Sequence, residues 1–499
     1  MIFAAAIGLR LYQLGRPALA LDEFWNAELT TGRGTFHETV ELDRLHIPPR
    51  GTSLVDALPW WRIPGSLDRV THPPLYSVLL RFWRELTFPG DGSLRAYSAL
   101  AGAAAILPLF AAARLQHGTR VALWACAVYA VASTPIACVR EVRPYGQLVL
   151  LSWLAIWQVV RIEHRRDAPW RWCIGLAATA AAMVYTHYFS LGVLAALAIY
   201  AQQRFDHRSA ARVAVATTVA AGVFAATWGP MILTQHRLAG TEAARWLKDP
   251  AEEPVKMTLL RAADLPLRLL TEPRNDAYPA PYFAIGFVLA AGVLAWWRRE
   301  IAIWVTVIAG VGGLILLLDL VQRGRMLDFP RYTTVAAPAM AALLAAFVCG
   351  LRGWMGHAAP TVMLAALLVS LPVGYDAENM DYRQFAAHLD ARVDPARDAV
   401  VFARRPAWEW KAGFLYVAWS HYSRFDGQAR CVFIGSTTTD QVSRQLRDIA
   451  TGGGTVWFVS SDGPVEELLS ALPGWRSVEH RGFLRIGDVS KIQPQEAAP

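Results

Sequence analysis

The sequence has little of what a soluble enzyme of its length needs. Only 18% of its 499 residues are charged, while 54% are hydrophobic and 20 are tryptophan, and the mean hydropathy is +0.28. Such a balance excludes an ordinary soluble enzyme and makes membrane burial the natural outlet. Cysteine is scarce. Cys126, Cys138, Cys173 and Cys349 lie in or beside apolar runs and Cys431 stands alone in the tail, so neither a disulfide framework nor a metal-ligand spacing emerges. A glycine-rich phosphate loop is also missing, because Gly452, Gly453 and Gly454 precede a strand-like run and no helix. No nucleotide or organic cofactor is therefore expected. Internal repeats are absent, and low complexity is confined to the last few residues. The net charge is +8, but the arginines sit in short clusters between apolar runs and form no basic stripe, which speaks against nucleic acid and for membrane topology. The first residues lack a basic region and a small-residue cleavage site, which argues against a removable signal peptide. Arg10 interrupts an initial apolar run too short to span, so either this span continues to Leu21 or the start lies late.

What is there is a series of apolar runs, near residues 94–114, 120–138, 144–160, 172–186, 188–203, 213–235, 280–297, 300–320, 333–351 and 357–374. With the N-terminal segment they make about eleven spans. Arg114 and Arg120, then Arg161, Arg165, Arg166 and Arg171, then Arg204, Arg208 and Arg212, then Arg298 and Arg299, then Arg352 all fall in alternate loops. Those loops are expected to be cytoplasmic. The segment from Pro73 to Phe88 contains Arg81, Arg84 and Glu85 and reads as an interfacial amphipathic helix. The expected architecture is mainly α: a polytopic helix bundle over residues 1–375, including an outer loop 22–93, followed by a small α/β extramembrane domain over 376–499. In the tail, helical stretches at 382–392 and 441–449 alternate with strand-like runs at 399–403, 431–434 and 455–459.

The basic clusters leave the residues suited to chemistry on the opposite face. Asp22 and Glu23 follow the first span, where a carboxylate near hydrocarbon is costly unless it has work to do. Either could deprotonate an acceptor or help coordinate a divalent cation, or both could be solvated loop acids. His72 precedes Pro73 and Pro74, and a proline pair suits a helix start. In the turn after residue 139, Glu141 and Arg143 are either a mutual ion pair or an acid and a phosphate-binding guanidinium, with Tyr145 beside them. His187 and Tyr188 occupy a helix corner. Arg331 and Tyr332 precede the span near 333, with Arg323 and Arg325 nearby, and outer arginines are explained by lipid headgroups or by a bound lipid phosphate or pyrophosphate.

The order of Leu21 to Trp25, His72 to Tyr76, Leu94 to Leu100, Glu141 to Tyr145, His187 to Tyr188, and Arg331 to Tyr332 resembles the type C (GT-C) membrane glycosyltransferases. The similar group is the protein O-mannosyltransferase-like and aminoarabinose transferase-like enzymes that use polyprenyl-phosphate sugars, over roughly residues 5–350. The resemblance implies a sugar transferred to a lipid, glycan or protein acceptor on the non-cytoplasmic side of an inner or plasma membrane, facing the periplasm or exterior. Asp22 would be the base, with Glu23 beside it and Glu141 as a second acid. Where many relatives have a lysine near the proline pair, this chain has His72 before it and Arg81 after it. A divalent metal would fall on Asp22 and Glu141. The reaction would be an inverting displacement, with Arg331 and Arg143 or His72 stabilising the departing phosphate. A ligase or polymerase using a lipid-pyrophosphate glycan is a sibling reading. A secondary transporter or lipid flippase is the alternative of another class, with Asp319 as its clearest acid near a span end. A membrane scaffold presenting the tail gives no role to Asp22 and Glu141.

Overall fold

A computed structural model describes residues 1–164, 170–238, 255–271, 299–375, 382–403, 411–425, 429–434, 438–460, 469–483 and 487–495. Two compact units result: Met1–Leu14 with Leu67–Ala377, and Gly15–Ser66 with Glu378–Pro499. The outer loop expected over 22–93 is thus divided between them, and its first part folds with the tail.

The first unit is helical. Ten of the eleven expected spans coincide with helices, and the run at 280–297, with Arg165, Arg166 and Arg298, lies outside the described residues. Four helices are long and apolar enough to cross a membrane, namely Asp91–His117, Tyr145–Glu163, His207–Leu238 and Ala302–Gln322, or five if the pair Thr119–Val131 and Ser133–Val139, bent by 60°, counts as one span. Among the described residues, Ile2–Leu11, Thr334–Cys349 and Met355–Ser370 are shorter apolar helices, so length does not confirm eleven spans. The first helix ends at Leu11 rather than reaching Leu21. Arg10 is fully buried, yet its guanidinium donates to the carbonyls of Ala6, Tyr129 and Ala130 at 3.2–3.3 Å and lies 4.9 Å from the Tyr129 ring. A helix end leaves carbonyls without partners, and the last turn of Thr119–Val131 receives them from this charge.

Where there is no hydrophobic drive between helices in lipid, close packing needs small residues. Gly192 and Gly310 meet in this way: a Cβ on Gly310 would come 2.6 Å from the Gly192 carbonyl oxygen and 2.7 Å from the Ala196 Cβ.

The second unit contains a five-stranded sheet in the order β2-β1-β3-β5-β4, where β1 is Ala399–Ala403, β2 Arg430–Ile434, β3 Val456–Ser460, β4 Trp475–Phe483 and β5 Gly487–Pro494. β1 pairs in parallel with β2 and β3, and β5 antiparallel with β3 and β4. Strands β1 and β3 are wholly buried and, apart from the terminal Ser460, apolar, as expected for strands covered on both faces. Helices Tyr382–Asp390, Lys411–Tyr422 and Asp440–Thr451 complete this part. The segment 15–66 belongs here for identifiable reasons. Phe24 is fully buried and its ring meets those of Tyr382, Phe414, His421 and Tyr422 edge-on at 5.3–5.9 Å. Arg50 donates to the carbonyls of Ser420 and Ser423, and the Tyr416 hydroxyl donates to that of Pro48. His46 exchanges two backbone hydrogen bonds with Cys431 and so extends the sheet beyond β2.

Replacing a helical glycine by alanine ordinarily stabilises by about 0.5–1 kcal/mol. Gly313→Ala, where the new Cβ has open space, should show that gain, whereas Gly310→Ala should lose about 1–3 kcal/mol through overpacking. Thermal unfolding of the two variants in detergent gives the comparison, and equal melting temperatures would show that the Gly192–Gly310 approach is not tight.

Candidate active site

The site candidates of the first unit converge at the ends of several helices. Helix Leu75–Leu86 begins just after the proline pair, and Tyr76 on its first turn hydrogen-bonds the Ser98 hydroxyl at 2.9 Å. Ser98 in turn donates to the Arg143 carbonyl at 2.7 Å. Two hydroxyls thereby fasten the helix after His72 and the turn 140–144 to the helix Asp91–Ala104. Gly146 permits this approach, since a Cβ there would run into the Ser98 carbonyl oxygen. The turn itself is closed by the Arg143 N–H donating to the Glu141 carbonyl at 2.7 Å.

Around this frame the ring of His72 lies 5.2 Å from that of His187, and Tyr145 lies 5.7 Å from His187 and 6.3 Å from Tyr332. Phe189 packs edge-on against Tyr332 at 5.2 Å. The Arg331 guanidinium lies 5.2 and 5.4 Å from the rings of Phe329 and Tyr332. Asp319 holds the segment that carries Arg331. Its two carboxylate oxygens accept the N–H groups of Met326 and Leu327 at 2.8 and 2.9 Å. On the same segment the Asp328 carboxylate pairs with Arg261 at 2.6 Å, and Arg268 donates to the carbonyls of Leu327 and Asp328.

The electrostatics follow from burial. Burial and the positive charge of Arg331 push His72 down to about 4, and burial, His72 and Arg143 drive His187 well below the usual histidine range. Both imidazoles are neutral at neutral pH. Burial and, more weakly, Arg331 lower Arg143 to about 10, which still leaves it charged at neutral pH. Burial works against the charge on Arg331 as well, but Tyr145, Tyr332 and Glu141 outweigh it and hold its pKa above the ordinary arginine value. Glu141 therefore lies close enough to act on the guanidinium. The His187 Nδ1 accepts the N–H of Phe189 at 3.2 Å, so the neutral ring carries its proton on Nε2. That buried nitrogen, like the Nδ1 of His72, has no hydrogen-bond partner among the described residues. The arrangement presents two guanidinium cations and an imidazole N–H to an anion, with aromatic walls around them.

Not every expected residue joins this cluster. Asp22 and Glu23 fall in the second unit, on the helix Leu21–Leu29. Glu23 is buried and accepts the Ala20 N–H at 2.8 Å, closing the helix start, while Asp22 is half-buried and its carbonyl accepts from Asn26. Arg81 forms an ion pair with Glu85 one turn on, at 2.6 Å. The Tyr188 hydroxyl is engaged by the indole of Trp228 and the side chain of Gln235. Among the described residues, no group of three His, Cys, Asp or Glu side chains is placed to hold a metal ion. Ser98, Gln235, Arg261 and Arg268 escaped the sequence reading. A buried hydroxyl or amide within an apolar run leaves no mark of its own. The two arginines lie on the helix Val255–Arg268, and their Asp328 partner is 60 or more positions on.

Residues 71–232, about a third of the chain, match the family model described as dolichyl-phosphate-mannose-protein mannosyltransferase. The crystal structure of the oligosaccharyltransferase of Archaeoglobus fulgidus, in complex with Zn and sulfate, is 12% identical and aligns over 92% of this chain and 68% of its own with a TM-score of 0.53. The chain has the type C glycosyltransferase fold. ArnT from Cupriavidus metallidurans in the apo state aligns over 98% of this chain and 97% of its own at 14% identity, with a TM-score of 0.48. No curated protein matches the sequence. The family match spans His72, Arg81, Glu141, Arg143, Tyr145, His187 and Tyr188, while Arg331 and Tyr332 lie beyond it.

Because His72 and His187 stay neutral when folded but take up protons near their ordinary value when unfolded, the unfolded chain binds more protons as pH falls below about 6.5. Stability should be fully present above that pH and decline on acidification toward pH 4. The double variant His72→Gln/His187→Gln should lose less melting temperature between pH 7 and 5 than the unaltered protein. An unchanged pH slope would show that the imidazoles are not buried neutral.

Proposed function

We propose that the protein is an integral membrane glycosyltransferase that takes a sugar from a polyprenyl-phosphate carrier and transfers it to an acceptor on the non-cytoplasmic face. The observation that carries this reading is the buried anion cradle of Arg143, Arg331 and the His187 Nε2–H, assembled largely within the segment that matches a lipid-phosphate-sugar-dependent family. A phosphate oxygen supplies the acceptor that the imidazole N–H needs. Two arginines in a low-dielectric setting stabilise the charge that develops on the phosphate as it leaves.

In the proposed reaction the acceptor's nucleophilic atom attacks the anomeric carbon from the side opposite the phosphate. The carbon–oxygen bond to phosphate breaks, its electron pair stays on the phosphate, and a carboxylate takes the acceptor's proton, so configuration inverts. Asp22 is the proposed base, because the Glu23 carboxylate already serves its own helix start. The alternate basic loops of the sequence support an active site that faces the periplasm or exterior. A transport reading loses its leading acid, since Asp319 spends both oxygens on backbone N–H groups.

The test is transfer of radiolabelled sugar from a panel of polyprenyl-phosphate donors in membranes containing matched amounts of protein. Arg331→Ala should lower transfer by roughly a hundredfold or more, and Asp22→Asn by about a hundredfold to ten-thousandfold. Full activity in Asp22→Asn would move the role of base to Glu141. A panel in which no donor reacts would overturn the reading.

A further inference from the structure

His72 stands just before the short amphipathic helix Leu75–Leu86, and its segment is held by a side chain from another helix. The residue before a proline is kept out of the helical region, so His72 stands ahead of its helix. Its carbonyl accepts a hydrogen bond of 3.3 Å from the side-chain amide of Gln235, which also donates to the Leu67 carbonyl at 2.8 Å. Both donor hydrogens of this amide are thus spent on the segment that carries His72.

The direction of the amide is dictated from behind. An indole nitrogen can only donate, so the Trp228 N–H gives to the Tyr188 hydroxyl at 3.0 Å, and the proton of that hydroxyl must go to the Gln235 Oε1, 2.6 Å away. The oxygen of Gln235 is thereby fixed toward Tyr188 and its NH2 toward residues 67 and 72. Gln235 is 3% exposed and Trp228 6%, so each group depends on this one arrangement for its hydrogen bonds. Tyr188 follows His187 in the chain. Adjacent residues of one helix corner thus grip His72 at two points, the His187 ring against its ring and the Tyr188 hydroxyl, through Gln235, on its backbone.

We propose that Gln235, oriented by Tyr188 and Trp228, is a positioning residue that holds His72 against His187 and so sets the affinity of the cradle for a lipid phosphate. The proposal rests on the lipid-phosphate reading above. It assigns Tyr188 a place behind the site and removes it from direct contact with substrate.

The experiment is a double-mutant cycle on binding of a polyprenyl phosphate to the purified full-length protein in detergent. His72→Ala and Gln235→Ala should each weaken binding by about tenfold, and the double variant should be no worse than either alone, within about twofold. Gln235→Glu keeps the length of the side chain and an oxygen for Tyr188 but has no amide hydrogens, so it should behave like Gln235→Ala. If a Gln235 variant does not fold, Tyr188→Phe, which removes one hydroxyl, takes its place in the same cycle. Losses that multiply in the double variant, or Gln235 variants that bind as the unaltered protein does, would overturn the proposal. A second readout needs no ligand. Acylation of His72 by diethyl pyrocarbonate, followed by mass spectrometry, should rise in Gln235→Ala at unchanged modification of surface histidines, and an unchanged rate would also overturn it. Failure of the unaltered protein to bind any polyprenyl phosphate, with His72 still freed in Gln235→Ala, would sink the lipid-phosphate reading alone.

Discussion

Two like charges, one buried and one half-buried, are the constraint around which one end of the first unit is built. Arg143 and Arg331 each remain cationic in a setting that disfavours charge, and each makes the other's position less favourable. The surroundings answer in three ways. Aromatic faces at Phe329 and Tyr332 lie against one guanidinium, Glu141 supplies a single opposing charge, and the two nearby imidazoles give up their protons. Rigidity matters as much as charge. Asp319 anchors one arginine's segment, and the pair Tyr76 and Ser98 fastens the other's.

Most of the bundle was legible because apolar runs and arginine clusters report directly on what lipid and topology tolerate. The cluster His72, Glu141, Arg143, Tyr145, His187, Arg331 and Tyr332 was legible for the same reason: charge at the outer ends of spans is costly enough to need a cause. The supporting residues were not. Gln235, Trp228 and Ser98 carry no net charge, and their hydrogen bonds join positions 22 to 168 residues apart, a distance that local pattern cannot bridge. Tyr188 was recognised at its helix corner, but its bonds to Trp228 and Gln235 were not, because sequence shows that a residue stands at a corner and not which way its hydroxyl turns. The length criterion gives a second lesson. Helices such as Ile2–Leu11 fall short of a span although their composition suits one, and Arg10 sits inside hydrocarbon-like surroundings by taking over another helix's unfilled carbonyls.

In the second unit, strands β1, β2 and β3 appeared in the sequence as apolar runs, to within a residue of where they lie. Strands β4 and β5 did not. β4 is mostly exposed, with only its terminal Trp475 and Phe483 buried, so the alternation that marks a half-buried strand is missing. The joining of residues 15–66 to the tail was equally invisible, since its contacts are single rings and single carbonyls spread along irregular chain.

That union also sets a timetable. His46 and Phe24 emerge from the ribosome roughly 360 to 400 residues ahead of the sheet and helices that receive them, with the intervening chain bound for the bilayer. Until Tyr382 and the residues after it are made, the segment 15–66 lacks these partners, and when the tail forms, the edge of β2 waits for a segment made long before. An unpaired edge is an invitation to foreign strands. Maturation of this unit is therefore a race between a late homecoming and capture by a neighbour, and a chaperone that shields either party would decide how much protein reaches its finished form.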